Sequence, residues 1–164
     1  LALRYPRKVE KLVLCSTNCG TSKSVPPTQK VMGVLMSCTN PNIKLEDRAK
    51  NMFSLCFTED FIKNNPAYIK QAMERAMIAP ITVDGFTRQL KAVMLYDTYA
   101  RLPMIKASTL VTHGKRDILV PPENAKILAD RIPGAELVYF ENSGHLLTSH
   151  EPEKLLSTLL EFLA

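Results

Sequence analysis

Two polar residues, Asp117 and His145, have the types and positions that general-base chemistry needs. Asp117 follows the apolar run "STLVTHG" (108–114), and His145 follows the run "AELVYF" (135–140). A histidine that acts as a general base must be held in one tautomer and orientation, and a buried carboxylate on one ring nitrogen does both. Both residues come just after strands expected to be neighbours in a parallel sheet, at the edge where open α/β sheets place their active sites. We therefore predict that the two side chains lie within hydrogen-bonding distance.

Both residues also have structural interpretations. Asp117 could cap a loop, because aspartate favours turns, and His145 could be a structural histidine on the approach to a helix. His113 lies at the end of a strand and is expected to be packed rather than catalytic, whereas His150 is expected to be a surface or capping residue. The other polar candidates are given structural roles: Glu123 and Asp130 on a solvated helix face, and Ser143 in the loop before His145.

The elements that must position the pair follow from hydrophobic patterning. Three short apolar runs, at 9–15, 108–114 and 135–140, predict buried strands. The segments "PPENAKILADRIPG" and "EPEKLLSTLLEFL" have apolar residues at helical spacing and prolines near their first turns, which predicts helices. The order strand, helix, strand, helix from residue 108 onward predicts a parallel sheet with right-handed crossovers.

The long segment between the first two strands has a different pattern. Residues 26–103 contain no convincing strand, and the stretches 47–57, 66–78 and 84–100 predict amphipathic helices. All seven methionines lie between Met32 and Met104. They are expected either to pack as an adaptable core or, in part, to line an apolar substrate pocket.

Composition excludes several classes of function. The 164 residues carry a net charge of +5, but the basic residues are scattered, so no nucleic-acid partner is expected. No apolar run is long enough to span a bilayer and no signal-peptide pattern is visible, so we expect no membrane association and a cytoplasmic location. The four cysteines lack zinc-site spacing and are expected to be free thiols: Cys15, Cys19, Cys38 and Cys56.

These patterns together resemble the carboxyl-terminal half of an α/β-hydrolase. "YPRKVEKLVL" is similar to the helix end and sixth strand of that fold, and the stretch from "TLVTHGKRD" to "LLEFL" is similar to its last two strands and helices. The resemblance implies an α/β fold with three parallel strands, flanking helices and an inserted helical cap. Residues 1–19 and 104–164 would form the core part, and residues 20–103 the cap over the carboxyl ends of the strands. Asp117 would be the catalytic acid and His145 the general base, with no cofactor or metal.

The nucleophile of that family stands on a G-x-S-x-G turn before the sixth strand. No two of the six glycines are four residues apart, so the turn is expected upstream of Leu1. We therefore expect the carboxyl-terminal portion of a hydrolase, inactive alone, whose intact form acts on a small apolar or ester-like substrate. A serine nucleophile would imply an esterase, lipase, lactonase, peptidase or carbon–carbon bond hydrolase. An aspartate would imply a dehalogenase or epoxide hydrolase, and a cysteine also stays open.

Two other functions remain as alternatives. The chain could be a non-catalytic interaction module or pseudoenzyme of the same fold, or one part of a split or oligomeric assembly. The family's strand order would pair the strand at 10–15 with that at 108–113, and the latter with that at 136–140. The outer edge of "KLVLC" would then lack a neighbour, and such an edge is a template for pairing with another chain. We expect self-association, or binding of the missing amino-terminal half.

Overall fold

A three-stranded parallel sheet lies at the centre of the computed structural model, which describes all residues from Leu1 to Ala164. Its strands are β1 (Lys11–Cys15), β2 (Ser108–Gly114) and β3 (Glu136–Phe140). The spatial order is β1–β2–β3, with Lys11 opposite Ser108 and Leu110 opposite Glu136. The predicted strand order and direction are confirmed.

Eight α-helices complete the fold. Five lie between β1 and β2: α1 (Gln29–Ser37), α2 (Leu45–Cys56), α3 (Glu59–Asn64), α4 (Pro66–Ile78) and α5 (Val83–Leu95). Three follow β2: α6 (Glu123–Arg131), α7 (Leu147–His150) and α8 (Pro152–Leu163). Short 3-10 turns occupy Pro6–Lys8 and Tyr99–Met104. No helix combines the length and the apolar character needed to cross a bilayer.

The helix predicted over 84–100 is too long. Helix α5 ends at Leu95, because the backbone after it pairs with a distant segment. Thr21 N donates to Tyr96 O over 3.1 Å, and Thr98 N donates to Cys19 O over 2.8 Å. Helices α1 and α3 were not predicted. Their amino-terminal ends are capped by the side chains of Thr28 and Thr58, respectively.

The core lies on both faces of the sheet. Alternate residues of β3 face opposite sides: Leu137 and Tyr139 pack with a cluster that includes α6, whereas Phe140 packs with a cluster that includes α7 and α8. The apolar stripe of α8 is buried on one side only. Its Leu155 is buried, but three leucines beside it are more than half exposed: Leu156, Leu160 and Leu163.

Residues between β1 and β2 contact helix α6 and the loop that follows β3. Val25 exchanges two backbone hydrogen bonds with the Asn124 side chain, at 2.8 and 2.9 Å, and the Cys56 carbonyl accepts from His145 N at 3.1 Å. The one β-bridge outside the sheet joins Gly20 to Asp97. These contacts agree with a cap over 20–103, and the division into core and cap remains a prediction.

Candidate active site

Asp117 and His145 form a hydrogen-bonded pair at the carboxyl edge of the sheet. Their atoms Oδ2 and Nδ1 are 2.8 Å apart, which is within the range predicted from the sequence. Asp117 lies in the turn after β2 and His145 in the loop after β3, and parallel pairing of these strands brings both loops to the same edge. Because a carboxylate only accepts, Nδ1 carries the proton and donates.

Asp117 is held by four donors and is 3% exposed. Its Oδ1 accepts from the backbone N–H groups of Leu119 and Val120, each at 2.9 Å. Its Oδ2 accepts from His145 and lies 3.3 Å from Nε2 of His113. Burial raises the pKa of the Asp117 carboxyl, but the hydrogen bonds from His113 and His145 outweigh burial, so the pKa lies below its ordinary value. The carboxylate is therefore charged at neutral pH.

His145 is oriented for proton transfer. With Nδ1–H bound to Asp117, Nε2 is the ring nitrogen left available for proton transfer, and it makes no hydrogen bond within the chain. The side chain is 23% exposed, so that this nitrogen is within reach of an incoming group. A neutral imidazole with one nitrogen fixed by a carboxylate and the other free is the arrangement that a general base needs.

Gly114 allows the acid and histidine loops to lie against each other. A Cβ added at Gly114 would overlap the carbonyl oxygens of Ser143 and Gly144, so only glycine fits at the end of β2. At this close approach, Arg116 N donates to Ser143 O at 3.0 Å. Ser143 is fully buried and its hydroxyl donates to Glu151, so it shapes the histidine loop as predicted.

His113 is packed, as predicted, but it also contacts the acid. The ring is completely buried, and Nε2 donates to Val120 O at 2.8 Å while lying 3.3 Å from Asp117. One N–H is thus shared between the carbonyl and the carboxylate of the same turn. The sequence placed His113 in a strand, but the turn that brings Asp117 back over it is a tertiary feature.

His150, expected to be a surface or capping residue, is half-buried and binds backbone groups of two separate segments. Its Nδ1 donates to Leu146 O at 2.8 Å, and its Nε2 accepts from Thr58 N at 3.2 Å. The ring also packs against Phe57 and Phe61, with ring centres 5.7 and 4.6 Å away. His150 therefore joins the amino-terminal end of α3 to the histidine loop.

Cys56 lies close enough to Asp117 for the carboxylate charge to affect its thiol, but this thiol is unsuited to act as a nucleophile. Burial, and to a smaller extent the negative charge of Asp117, raises the pKa of the Cys56 thiol to about 11. A nucleophilic cysteine needs the opposite shift, because the thiolate is the reactive form. The role of Cys56 lies in its backbone carbonyl, which accepts from His145 N and Leu146 N. A backbone acceptor leaves no signal in a sequence.

The remaining candidates have the surroundings expected of them. Glu123 and Asp130 are exposed, and Asp130 pairs with Lys126 at 2.7 Å. All four cysteines are free. No three His, Cys, Asp or Glu side chains converge as a metal site would require.

Comparison with known proteins bears on the family and the fold of this chain. A family model described as serine aminopeptidase, S33 matches residues 1–153. RutD of Caulobacter segnis, a protein assigned as a carbamate hydrolase, is 30% identical over 166 residues, which cover 99% of this chain and 60% of RutD. The enol-lactonase of Burkholderia xenovorans superposes with a TM-score of 0.82 at 23% identity, covering 99% of this chain and 59% of that one. A hydrolase from Pseudomonas aeruginosa gives 0.83 at 23% identity, covering 100% of this chain and 59% of that one. At such identity the solved structures establish the fold, and the chain spans about three-fifths of these proteins.

Proposed function

Since the chain belongs to the serine aminopeptidase S33 family of α/β-hydrolases, we propose that it supplies the acid and the general base of a hydrolase triad. His145 is the base, and Asp117 is the carboxylate that fixes its tautomer. The observation that carries the proposal is the 2.8 Å hydrogen bond between Nδ1 and Oδ2, with Nε2 left free. The proposed substrate is small and ester-like or apolar, and relatives named as carbamate hydrolase and methyl ester esterase support this class.

The proposed reaction is acyl transfer in two steps. Nε2 of His145 takes the proton of a nucleophile while that group bonds to the substrate's carbonyl carbon, and His145 then returns the proton to the departing alcohol or amine. Water, deprotonated in turn by His145, bonds to the acyl carbon; the bond between that carbon and the nucleophile then breaks, and His145 returns the proton to the nucleophile as the acid product leaves. Through both steps Asp117 stays ionised and stabilises the imidazolium, which its low pKa favours.

The nucleophile in this proposal comes from polypeptide other than these 164 residues. They contain no G-x-S-x-G sequence, and the Cys56 thiol is protonated at neutral pH. A serine nucleophile is proposed, in keeping with the family description. An aspartate nucleophile, as in dehalogenases and epoxide hydrolases, would use the same Asp–His pair and is the alternative to test.

The test begins with the coding sequence upstream of Leu1. A G-x-S-x-G turn is expected there, and a polypeptide that carries it together with residues 1–164 should hydrolyse p-nitrophenyl esters. A G-x-D-x-G turn would redirect the assay to haloalkanes and epoxides. If neither turn exists and no polypeptide that binds the chain restores His145-dependent hydrolysis, the interaction-module alternative replaces the proposal.

The 164-residue chain offers a second test. Alone, it should show no p-nitrophenyl acetate turnover that depends on His145. Turnover lost in His145→Ala but kept in Thr148→Ala, an exposed position on α7, would mean that the chain itself contains a nucleophile. The proposal that the nucleophile lies elsewhere would then be wrong.

A further inference from the structure

A cavity of about 300 Å³ lies inside the helical segment, apart from the Asp117–His145 pair. It is lined by α2, the residue after α1, the end of α4, the loop after α4 and the first turn of α5, and it is partly open to solvent. None of its lining residues comes from the acid loop or the histidine loop. The cavity is therefore a separate feature of the molecule.

The lining is apolar except for one cation. Ten of the twelve lining residues are hydrophobic, among them Leu45, Met52, Phe53 and Phe86, and the other two are Pro80 and Arg48. Arg48 is thus the single charged side chain in an otherwise apolar wall. An apolar wall with one polar group of fixed position is typical of small-molecule sites.

The Arg48 guanidinium has a buried donor without a partner. Its Nη1 is shielded from solvent and makes no hydrogen bond, and no carboxylate lies within 4 Å of the side chain. Glu46, two residues before Arg48 and on the exposed side of α2, is paired with Lys50 at 2.8 Å. Arg48 lines the cavity and has no carboxylate partner within the chain, so an anionic group bound in the cavity would be attracted to its charge.

We propose that this cavity binds a small apolar monocarboxylate, with its carboxylate on Arg48 and its hydrocarbon body among Met52, Phe53 and Met77. Guanidinium and carboxylate match in planar geometry and in charge, which favours a carboxylate over a neutral polar group. A cavity of about 150 Å³ can hold benzene, so twice that volume accommodates a medium-length alkyl chain or one aromatic ring. The inference does not depend on the proposed hydrolase function.

The methionines provide a direct test in the 164-residue chain. With methyl-labelled methionine, titration with octanoate should shift the NMR signals of Met52 and Met77, which line the cavity. Met94 and Met104, which are more than half exposed and lie outside it, should not shift. Shifts confined to Met94 and Met104, or no shifts at all, would overturn the proposal.

Recognition of the carboxylate is tested with 1-octanol as the matched neutral probe. Arg48→Leu should weaken octanoate binding at least about tenfold, because a charge-assisted bond is lost, and should leave octanol binding within about threefold. Lys50→Leu, which removes the same charge from the exposed side of α2, should change neither. Equal octanoate affinity in Arg48→Leu and the unaltered chain would refute the role of Arg48.

Ala76→Phe, which fills the cavity, should abolish binding of both probes, and unchanged binding in that variant would place the ligand elsewhere.

Discussion

The acid–histidine region and the outer faces of the same sheet differ sharply in how many of their polar groups and apolar side chains have partners within the chain. Around Asp117, each carboxylate oxygen has two donors, and the neighbouring Ser143 is fully buried and hydrogen-bonded. By contrast, β1 has a strand neighbour on one side only, and α8 leaves three leucines more than half exposed. The end of α5 exposes Leu95 to 84%.

The contrast shows which parts of the molecule find their contact partners within these 164 residues. The acid and the histidine come from strands 20 to 30 residues apart in sequence, and their loops are joined by local hydrogen bonds. Apolar surface on α5, α8 and the edge of β1 finds no partner within the chain, and exposed patches of this kind are typical of interaction surfaces. The pair is preorganised, whereas the outer faces are open to association.

Substitution of His145 should have the largest effect on catalysis. In a polypeptide that combines these residues with a nucleophile turn, His145→Ala should lower kcat for p-nitrophenyl esters about 10^6-fold, by analogy with triad deletion in a serine protease. Asp117→Asn should lower it about 10^4-fold, because the tautomer is no longer fixed. Steady-state kinetics with Thr148→Ala as a control measures both effects. A loss below tenfold in His145→Ala would remove the pair from the mechanism and make its tight packing purely structural.

Association through the β1 edge should give the next largest effect. Glu10 O accepts from Ser108 N, and Ser16 N donates to Thr112 O, so even-numbered residues face β2 and the Val13 backbone faces the open edge. The chain alone should scatter light as a dimer or larger species at micromolar concentration. Val13→Pro should shift it toward the 18.4 kDa monomer, because proline removes the edge donor without touching the β2 ladder.

Val13→Thr, which keeps the donor, is the control for this edge. If Val13→Pro remains associated, the exposed stripe of α8 is the better candidate for the interface, and Leu160→Lys should then release the monomer while Ser157→Lys does not. A monomer in the unaltered chain would contradict the prediction. It would mean that open apolar surface on this sheet is tolerated without a partner.

The two regions also differ in how far the sequence could predict them. The strands β2 and β3 and the Asp117–His145 pair follow from short-range patterns, because a parallel sheet brings loops after adjacent strands to one edge. The end of α5 could not be predicted, since it depends on pairing of Tyr96 and Thr98 with a segment more than 70 residues away. The short helix α3 spans only six residues, too few for a periodic pattern to be recognised.

The contacts around the Asp117–His145 pair could not be predicted from the sequence either. The sequence gives no sign that the Cys56 carbonyl binds the histidine loop, because every residue has such a carbonyl. His150 has ordinary surface features in sequence and becomes a bridge only when Thr58 and Phe61 pack against it. In both cases the contact joins elements that are about 90 residues apart, and local periodicity carries no information at that range.

Removing His113 should have a moderate effect on stability. In His113→Leu the buried Val120 carbonyl loses its donor and Asp117 loses one of four, so the free energy of unfolding should fall by about 1–3 kcal/mol. Urea denaturation measures this change. Thr109→Val is a matched control, because it deletes a buried side-chain bond to a backbone carbonyl on the same strand, 2.9 Å from Thr109 Oγ1 to Ala107 O.

The NMR signal of the His145 Nδ1 proton separates positioning from simple stabilisation. It should move in His113→Leu, since both histidines share Oδ2 of Asp117, and should stay unchanged in Thr109→Val. If it moves in neither variant, His113 stabilises the turn without acting on the pair. The acid–histidine region would then be less tightly coupled than its hydrogen bonds suggest.

The smallest effect is expected when the pH dependence of the unfolding free energy is compared between the unaltered chain and Asp117→Asn. Hydrogen bonds from His113 and His145, working against burial, hold the pKa of Asp117 below its unfolded value. A carboxyl with a lowered pKa contributes stability that is complete above its unfolded pKa, about 4, and that is lost as pH falls through the lower, folded pKa. Between pH 7 and pH 5 the Asp117 carboxyl is ionised in both the folded and the unfolded state, so its own titration adds no slope to the difference in unfolding free energy between the unaltered chain and Asp117→Asn. Below about pH 4 this difference should shrink, because protonation removes the charge that the amide already lacks.

Asp130→Asn, at an exposed ion pair, should show no comparable loss of difference from the unaltered chain at low pH. Parallel curves for the unaltered chain and Asp117→Asn down to pH 2 would show that the charge of Asp117 adds nothing to stability, and the contrast between the satisfied pair and the open faces would then rest on packing alone.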